Sequence, residues 1–274
     1  MDARRCLRVC HAMMLWMIIW LLAVALGAGA CSSGAAPTTP SPTPVLGVAP
    51  FAGTIFIDPD IITESDPTTF LLLSAGGQGA RTMFDRRVND WITVNAYLFD
   101  ARFDDGLMVE VQVNPEFGAT DLAQAEAEKY AVVIGRLPTA LRRNVKTVWI
   151  HEGVQPFGGG NNNLLIHVGQ ADLYTRDGIL EETLVHEASH TSLDASHATA
   201  PGWLAAQSAD NVFISTYAQD FPMREDVAES VVPYLAVRCR ADRISVSLRD
   251  TILNTIPNRI AYLDALMLDL HPIK

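Results

Sequence analysis

An apolar run from Met13 to Ala28 decides how much of this chain is available to fold. Arg4, Arg5 and Arg8 precede it, and Gly27, Ala28, Gly29 and Ala30 lead from its end into Cys31. A basic start, a short apolar stretch and a patch of small residues make the layout of a secretory signal peptide; the run falls short of the ~20 apolar residues a spanning helix needs. Residues 1–30 are therefore set apart as a signal. Cys6 and Cys10 leave with it and Cys31 stands at the boundary, so Cys239 is the only cysteine of the folded part. An exported chain without a cysteine pair has no internal disulfide to staple it and depends on its hydrophobic core. Residues 51–274 are long enough to bury one, as a single domain or two small lobes.

The small-residue patch followed by Cys31 resembles a bacterial lipobox, with Ala28 where leucine is usual. That resemblance implies a lipid on Cys31, an N-terminal membrane anchor and a mature chain that begins there. Ser32, rather than Asp, follows the cysteine, which by the same resemblance favours the outer membrane or cell surface. From Ser32 to Pro50 the chain is rich in Pro, Thr, Ser, Ala and Gly and carries no charge and no aromatic residue, the composition of a tether (31–50) that holds a domain away from its anchor. The whole chain has 20 basic and 31 acidic residues, and losing Arg4, Arg5, Arg8 and Asp2 with the signal makes it more acidic still. A chain so charged has no electrostatic reason to bind nucleic acid, and no basic cluster interleaved with aromatics restores one.

Folded sequence starts near Phe51. Thr54 to Ile57, Ile92 to Phe99 and Leu107 to Val113 are β-rich, and the last two flank a turn at Asp104-Asp105-Gly106, as an antiparallel pair does. The period then changes to helical over Asp121 to Arg136, with Thr120 or Asp121 as cap. Val145 to Ile150 and Leu164 to Val168 read as buried strands, separated by a flexible loop at Gly158-Gly159-Gly160-Asn161-Asn162-Asn163. Asp177-Gly178 opens a helix that runs to about Leu193. Ala195 to Asp220 reads as a long mixed connection, followed by helices over Met223 to Arg238 and Pro257 to Leu270. A strand-rich first lobe, then a motif-bearing helix and a mainly helical remainder, predicts an α+β fold.

That helix contains His186-Glu187-Ala188-Ser189-His190. Histidines four apart share a helix face, about 6 Å from one another, which suits two nitrogen ligands on a tetrahedral zinc. Glu187, beside the first, is placed to take a proton from a water on the metal without binding the ion itself. A catalytic site needs a third protein ligand. Glu225 and Glu229 are candidates on one face of a later helix, and sequence alone leaves both open. Asp194 lies one turn beyond His190, where it orients that imidazole or caps the helix end more naturally than it binds metal. His197 misses by one residue the position of a third histidine in the metzincin pattern, where Ser196 stands, and Leu193 replaces that pattern's glycine.

The His186-to-His190 motif, Tyr217 and the run Glu225-Asp226-Val227-Ala228-Glu229 together resemble the gluzincin metallopeptidases, above all their lethal-factor-like branch. The resemblance implies a zincin-like fold and zinc-dependent hydrolysis of a peptide or protein substrate. It makes Glu225 the third ligand, Glu229 a support for a ligand histidine and Tyr217 a donor to the oxyanion. It covers only these residues.

Elsewhere the residues suggest plainer roles. Glu182 is a support for His186 or a solvated helix charge, and His167 a strand histidine or one that faces the cleft. His151-Glu152 is a strand end, Trp149 and Trp203 are core, and Asp58 to Asp66 is turn chemistry without the glycine and terminal glutamate of a calcium loop. Two other functions compete with hydrolysis. One is a non-catalytic surface lipoprotein that keeps the zincin shape for binding or envelope assembly, against which the intact Glu187 speaks. The other is a transporter's substrate-binding lipoprotein, whose repeated strand–helix units the helical second half does not supply.

Overall fold

The computed structural model describes residues 47–54 and 60–274. The signal, Cys31, most of the tether and the expected strand from Ile55 onward lie outside the described residues.

Strand β2 (Asp90–Phe103) sets the architecture. Its side chains alternate: Tyr97, Phe99, Ala101 and Phe103 enter the main core, while Ala96 and Leu98 join Met83 in a smaller apolar cluster on the opposite face. β2 pairs antiparallel with β3 (Met108–Val113), in register from Tyr97–Val113 to Arg102–Met108, and Gly106 supplies the positive φ their turn requires. On its other side β2 pairs antiparallel with β1 (Phe70–Asp85), which sequence did not predict. β4 (Thr147–His151) continues the sheet parallel to β3, β6 (Asn163–His167) lies parallel to β4, and β5 (Gly158–Gly160) closes the edge antiparallel to β6. The six-stranded order is β1-β2-β3-β4-β6-β5. The glycine run expected as a loop is thus partly the edge strand.

The fold is α+β, as predicted. Helix α1 (Thr120–Gly135) packs its Ala123, Ala127, Tyr130 and Ile134 stripe on the first three strands. Its N-cap is Ala119, without a side-chain bond, so neither Thr120 nor Asp121 caps it. After the short α2 (Thr139–Arg142) and α3 (Val168–Arg176), the motif helix α4 (Leu180–Ser192) lies against β5 and β6 and, on its other side, against α8 (Asp226–Cys239). The expected long connection holds three helices: α5 (Asp194–His197), α6 (Pro201–Asp210) and α7 (Thr216–Asp220). α9 (Val246–Thr255), capped by Ser245, precedes α10 (Pro257–Ala265). Buried Arg259 of α10 binds Asp210 at 3.0 Å and Asp226 at 2.9 Å, so α6, α8 and α10 are tied at one point and the rotation of α8 is fixed. Trp203 is fully buried in this helical layer, and Trp149 packs on the smaller cluster.

Candidate metal centre

α4 carries His186 and His190 on the face turned to α8, and Glu225, the residue that caps α8, meets them. His190 Nε2 lies 3.1 Å from His186 Nε2 and 3.1 Å from Glu225 Oε2, and His186 Nε2 lies 3.4 Å from that oxygen. Three groups whose ligand atoms lie this close can hold a metal ion.

The surrounding contacts aim those atoms. His190 Nδ1 donates to Asp194 Oδ2 at 2.7 Å, which leaves the Nε2 lone pair facing the centre. His186 Nδ1 is 3.3 Å from Glu229 Oε1, an ion-pair contact without hydrogen-bond alignment that places a carboxylate behind the other ring. Glu229, buried, also accepts from Ser215 Oγ, whose hydroxyl in turn caps α7 at Ala218 N. Glu225 spends its Oε1 on Tyr217 Oη at 3.0 Å and Arg224 Nε at 2.6 Å, while buried Oε2 has no hydrogen-bond donor. One oxygen of Glu225 is thus neutralised from the solvent side and the other is bare.

The electrostatics ask for a cation. Burial opposes charge on His190, yet its hydrogen bond to Asp194 and the approach of Glu225 prevail and lift the imidazole to about 10. Burial likewise opposes charge on Glu225, and His186, His190 and Arg224 together hold it well below the usual carboxylate range. These shifts mark a centre where positive charge is favoured. A metal cation satisfies the same atoms.

Around this centre is a cleft of about 920 Å³ whose wall includes Glu187, Tyr217, Arg86 and Gly159. Glu187, half-buried, is beside the histidines, and its charge is felt at His190. Edge strand β5 passes directly over the backbone of this residue: a Cβ on Gly159 would sit 1.9 Å from the Glu187 carbonyl oxygen. Tyr217, pushed above its ordinary pKa by burial and by the Glu225 charge, remains a protonated donor at neutral pH.

No protein-family model, curated protein or solved structure matches the chain. The site stands on its own geometry.

Not every residue singled out in the sequence reaches it. Glu229 and Asp194 stand behind the histidines. His197 bonds Tyr262 Oη at 2.8 Å. Glu182 neither supports His186 nor meets solvent: it is buried and accepts from Ile62 N at 2.9 Å, with its pKa raised to about 7 by burial. His167 does not face the cleft; it is buried, stacked on His151 and bonded to the Glu152 carbonyl at 2.9 Å. Of the acidic stretch, Asp66 accepts from Thr63 N and pairs with Arg240 and Arg243, which is turn and anchor chemistry. Ser215, Arg224, Arg86 and Gly159 escaped the sequence reading. Ser215 and Arg224 left a trace there, a serine at a helix start and a cation beside Glu225, whereas Arg86 and Gly159 reach the site only through the tertiary fold.

Proposed function

We propose that the chain is a zinc metallopeptidase with a zincin-like fold of the gluzincin type, carried on an exported lipoprotein. Its anchor would be a lipid on Cys31, and its place the outer membrane or cell surface. The observation that carries this reading is the convergence of His186 Nε2, His190 Nε2 and Glu225 Oε2. Zinc bonds of about 2.0–2.1 Å at tetrahedral angles put ligand atoms roughly 3.3–3.4 Å apart, and the three separations are 3.1, 3.1 and 3.4 Å. Two imidazoles and one carboxylate form a donor set that leaves a fourth position for chemistry.

Zinc held there supplies a Lewis acid that acidifies water and polarises a carbonyl. Glu187, in the cleft and outside the ligand set, takes the proton of the attacking water and returns it to the leaving amine. The Tyr217 hydroxyl, protonated at the cleft wall and here donating to Glu225 Oε1, would turn from that oxygen to donate to the one on which charge develops. Asp194, by its hydrogen bond to Nδ1, keeps His190 in the tautomer that presents Nε2, and the Glu229 carboxylate stands behind His186. An intact base on the cleft wall favours hydrolysis over a purely binding role.

The test uses the full-length protein as wild type, His190→Ala and Glu187→Gln, with metal measured by elemental analysis after dialysis and cleavage followed on a peptide library. The expected result is about one zinc per wild-type chain, lost in His190→Ala. Glu187→Gln keeps the metal and loses roughly 10²- to 10⁴-fold in cleavage rate. A folded wild type that takes up no zinc overturns the proposal, and one that binds zinc but cuts no peptide makes the chain a binding lipoprotein instead.

A further inference from the structure

The turn between β1 and β2 reaches the rim of the cleft and is braced for it. Arg87 binds buried Asp85 at 2.7 Å on one side and Glu116 at 2.7 Å on the other, and Glu116 also accepts from Glu152 N at 2.8 Å. These bonds fix the backbone of the turn and consume the charge of Arg87. Its neighbour, Arg86, takes no part in them, and its guanidinium lies over the edge strand at Gly158. A Cβ built on Gly158 would be 3.0 Å from Arg86 Nη2 and 3.6 Å from Nε, so the missing side chain is the seat of the guanidinium.

Arg86 lines the cleft together with Glu187 and also borders a smaller groove of about 150 Å³ walled by Phe84, Trp91 and Trp149. The other cleft arginine, Arg224, is committed to Glu225. Among the described residues Arg86 has no carboxylate partner, although the chain carries 31 acidic residues against 20 basic ones. An exposed guanidinium seated over the edge strand, with its donors free at the rim of a cleft, is a receptor for a planar carboxylate. On the α4–α8 side the cleft carboxylates Glu225 and Asp194 are already paired with Arg224 and His190, and Glu187 stands beside them. Arg86 is therefore the cleft arginine left to receive a substrate carboxylate, which would orient a bound peptide along β5.

We propose that Arg86 is a specificity residue that selects peptides bearing a carboxylate, from an Asp or Glu side chain or from a free C-terminus, on the side of the scissile bond next to β5. The selection of substrate rests on the peptidase reading above; the recognition itself does not need turnover.

The test therefore measures binding first. Full-length Glu187→Gln, loaded with zinc, is titrated into three labelled peptides by fluorescence anisotropy: a neutral peptide with an amidated end, the same peptide with one internal Glu, and the neutral peptide with a free end. One or both carboxylate peptides are expected to bind about tenfold more tightly than the neutral one, a charge-assisted hydrogen bond being worth that much or more. Which of the two does so identifies the source. Adding Arg86→Gln abolishes the preference without weakening the neutral peptide, and Arg86→Lys, which keeps the charge and loses the fork, restores part of it. Equal affinity for all three peptides, or an equal loss for all three in Arg86→Gln, overturns the proposal. Failure of the zinc-loaded wild type to cut any peptide would sink the peptidase reading while leaving the binding result to decide the role of Arg86.

Discussion

Acid should weaken this fold through one buried ring. His151 is completely buried at the end of β4, opposite His167 on β6, and the two rings stack with centroids 5.3 Å apart. Asn114 Nδ2 donates to His151 Nδ1 at 2.9 Å, a bond made to the neutral imidazole. Burial, with the neighbouring His167 and Arg87 adding to it against the opposing pull of Asp85, lowers its pKa from 6.5 to about 4. The unfolded chain thus binds a proton at His151 below pH 6.5 that the folded chain refuses until about pH 4. Stability is whole above 6.5 and falls across that window by about 1.4 kcal/mol per pH unit, about 3 kcal/mol in all. Urea midpoints at pH 7, 6, 5 and 4 measure the loss. Other groups titrate as well, so the comparison is with His151→Gln, whose amide can still meet Asn114 and does not titrate. Wild type should lose about 3 kcal/mol more than the variant between pH 6.5 and 4. Parallel pH profiles, or a His151 ring that titrates near 6.5 by NMR, would refute the reasoning.

Gly159→Ala should damage both fold and cleft. Its Cβ would meet the Glu187 backbone at 1.9 Å, so β5 or α4 has to move, at a cost of about 1–3 kcal/mol in thermal or urea unfolding. A displacement of ~1 Å at Glu187 should lower any hydrolytic rate by roughly 100-fold. Glu182→Gln should have the opposite effect on stability at high pH. The buried carboxyl has its pKa raised from 4.5 to about 7, so the stability it contributes is present below pH 4.5 and is lost as pH rises through 7. The amide keeps the acceptor for Ile62 N and removes the titration, so the variant should gain on wild type between pH 5 and 8 in the same urea assay, and an unchanged difference would contradict this account.

Local signals were legible in the sequence and long-range ones were not. β2, β3 and their Asp104-Asp105-Gly106 turn announce themselves because β-branched and aromatic residues flank a turn glycine. β1 does not: Ala75, Gly76, Gly77, Gly79 and Ala80 have low strand propensity, and the long pairing with β2, irregular near Gly77, makes it a strand. Gly158–Gly160 becomes a strand for the same reason, by pairing with β6. His186 and His190 are visible because their relation is set within one helix. The choice between Glu225 and Glu229 is not, since both lie on one face of the later helix. Which of the two meets the Nε2 atoms follows from how α8 packs on α4, where Glu225 comes within 3.1–3.4 Å of both rings.

The seam between α4 and α8 explains why these carboxylates cluster at all. Glu225 and Glu229 are buried there, with Asp194 partly so, and in a core such charges are costly unless matched. Arg224 reaches only one oxygen of Glu225 from the solvent side, and Ser215 offers Glu229 a neutral donor. A proton on His190 balances one carboxylate. A divalent cation at the three converging atoms matches two, and it does so without disturbing the Asp194 bond to His190 or the Glu229 carboxylate behind His186. The carboxylates that would be a liability in a bare helix–helix seam become, around such a cation, what holds α8 against α4. On this account occupation of the site and the docking of the helix that carries Glu225 are one equilibrium.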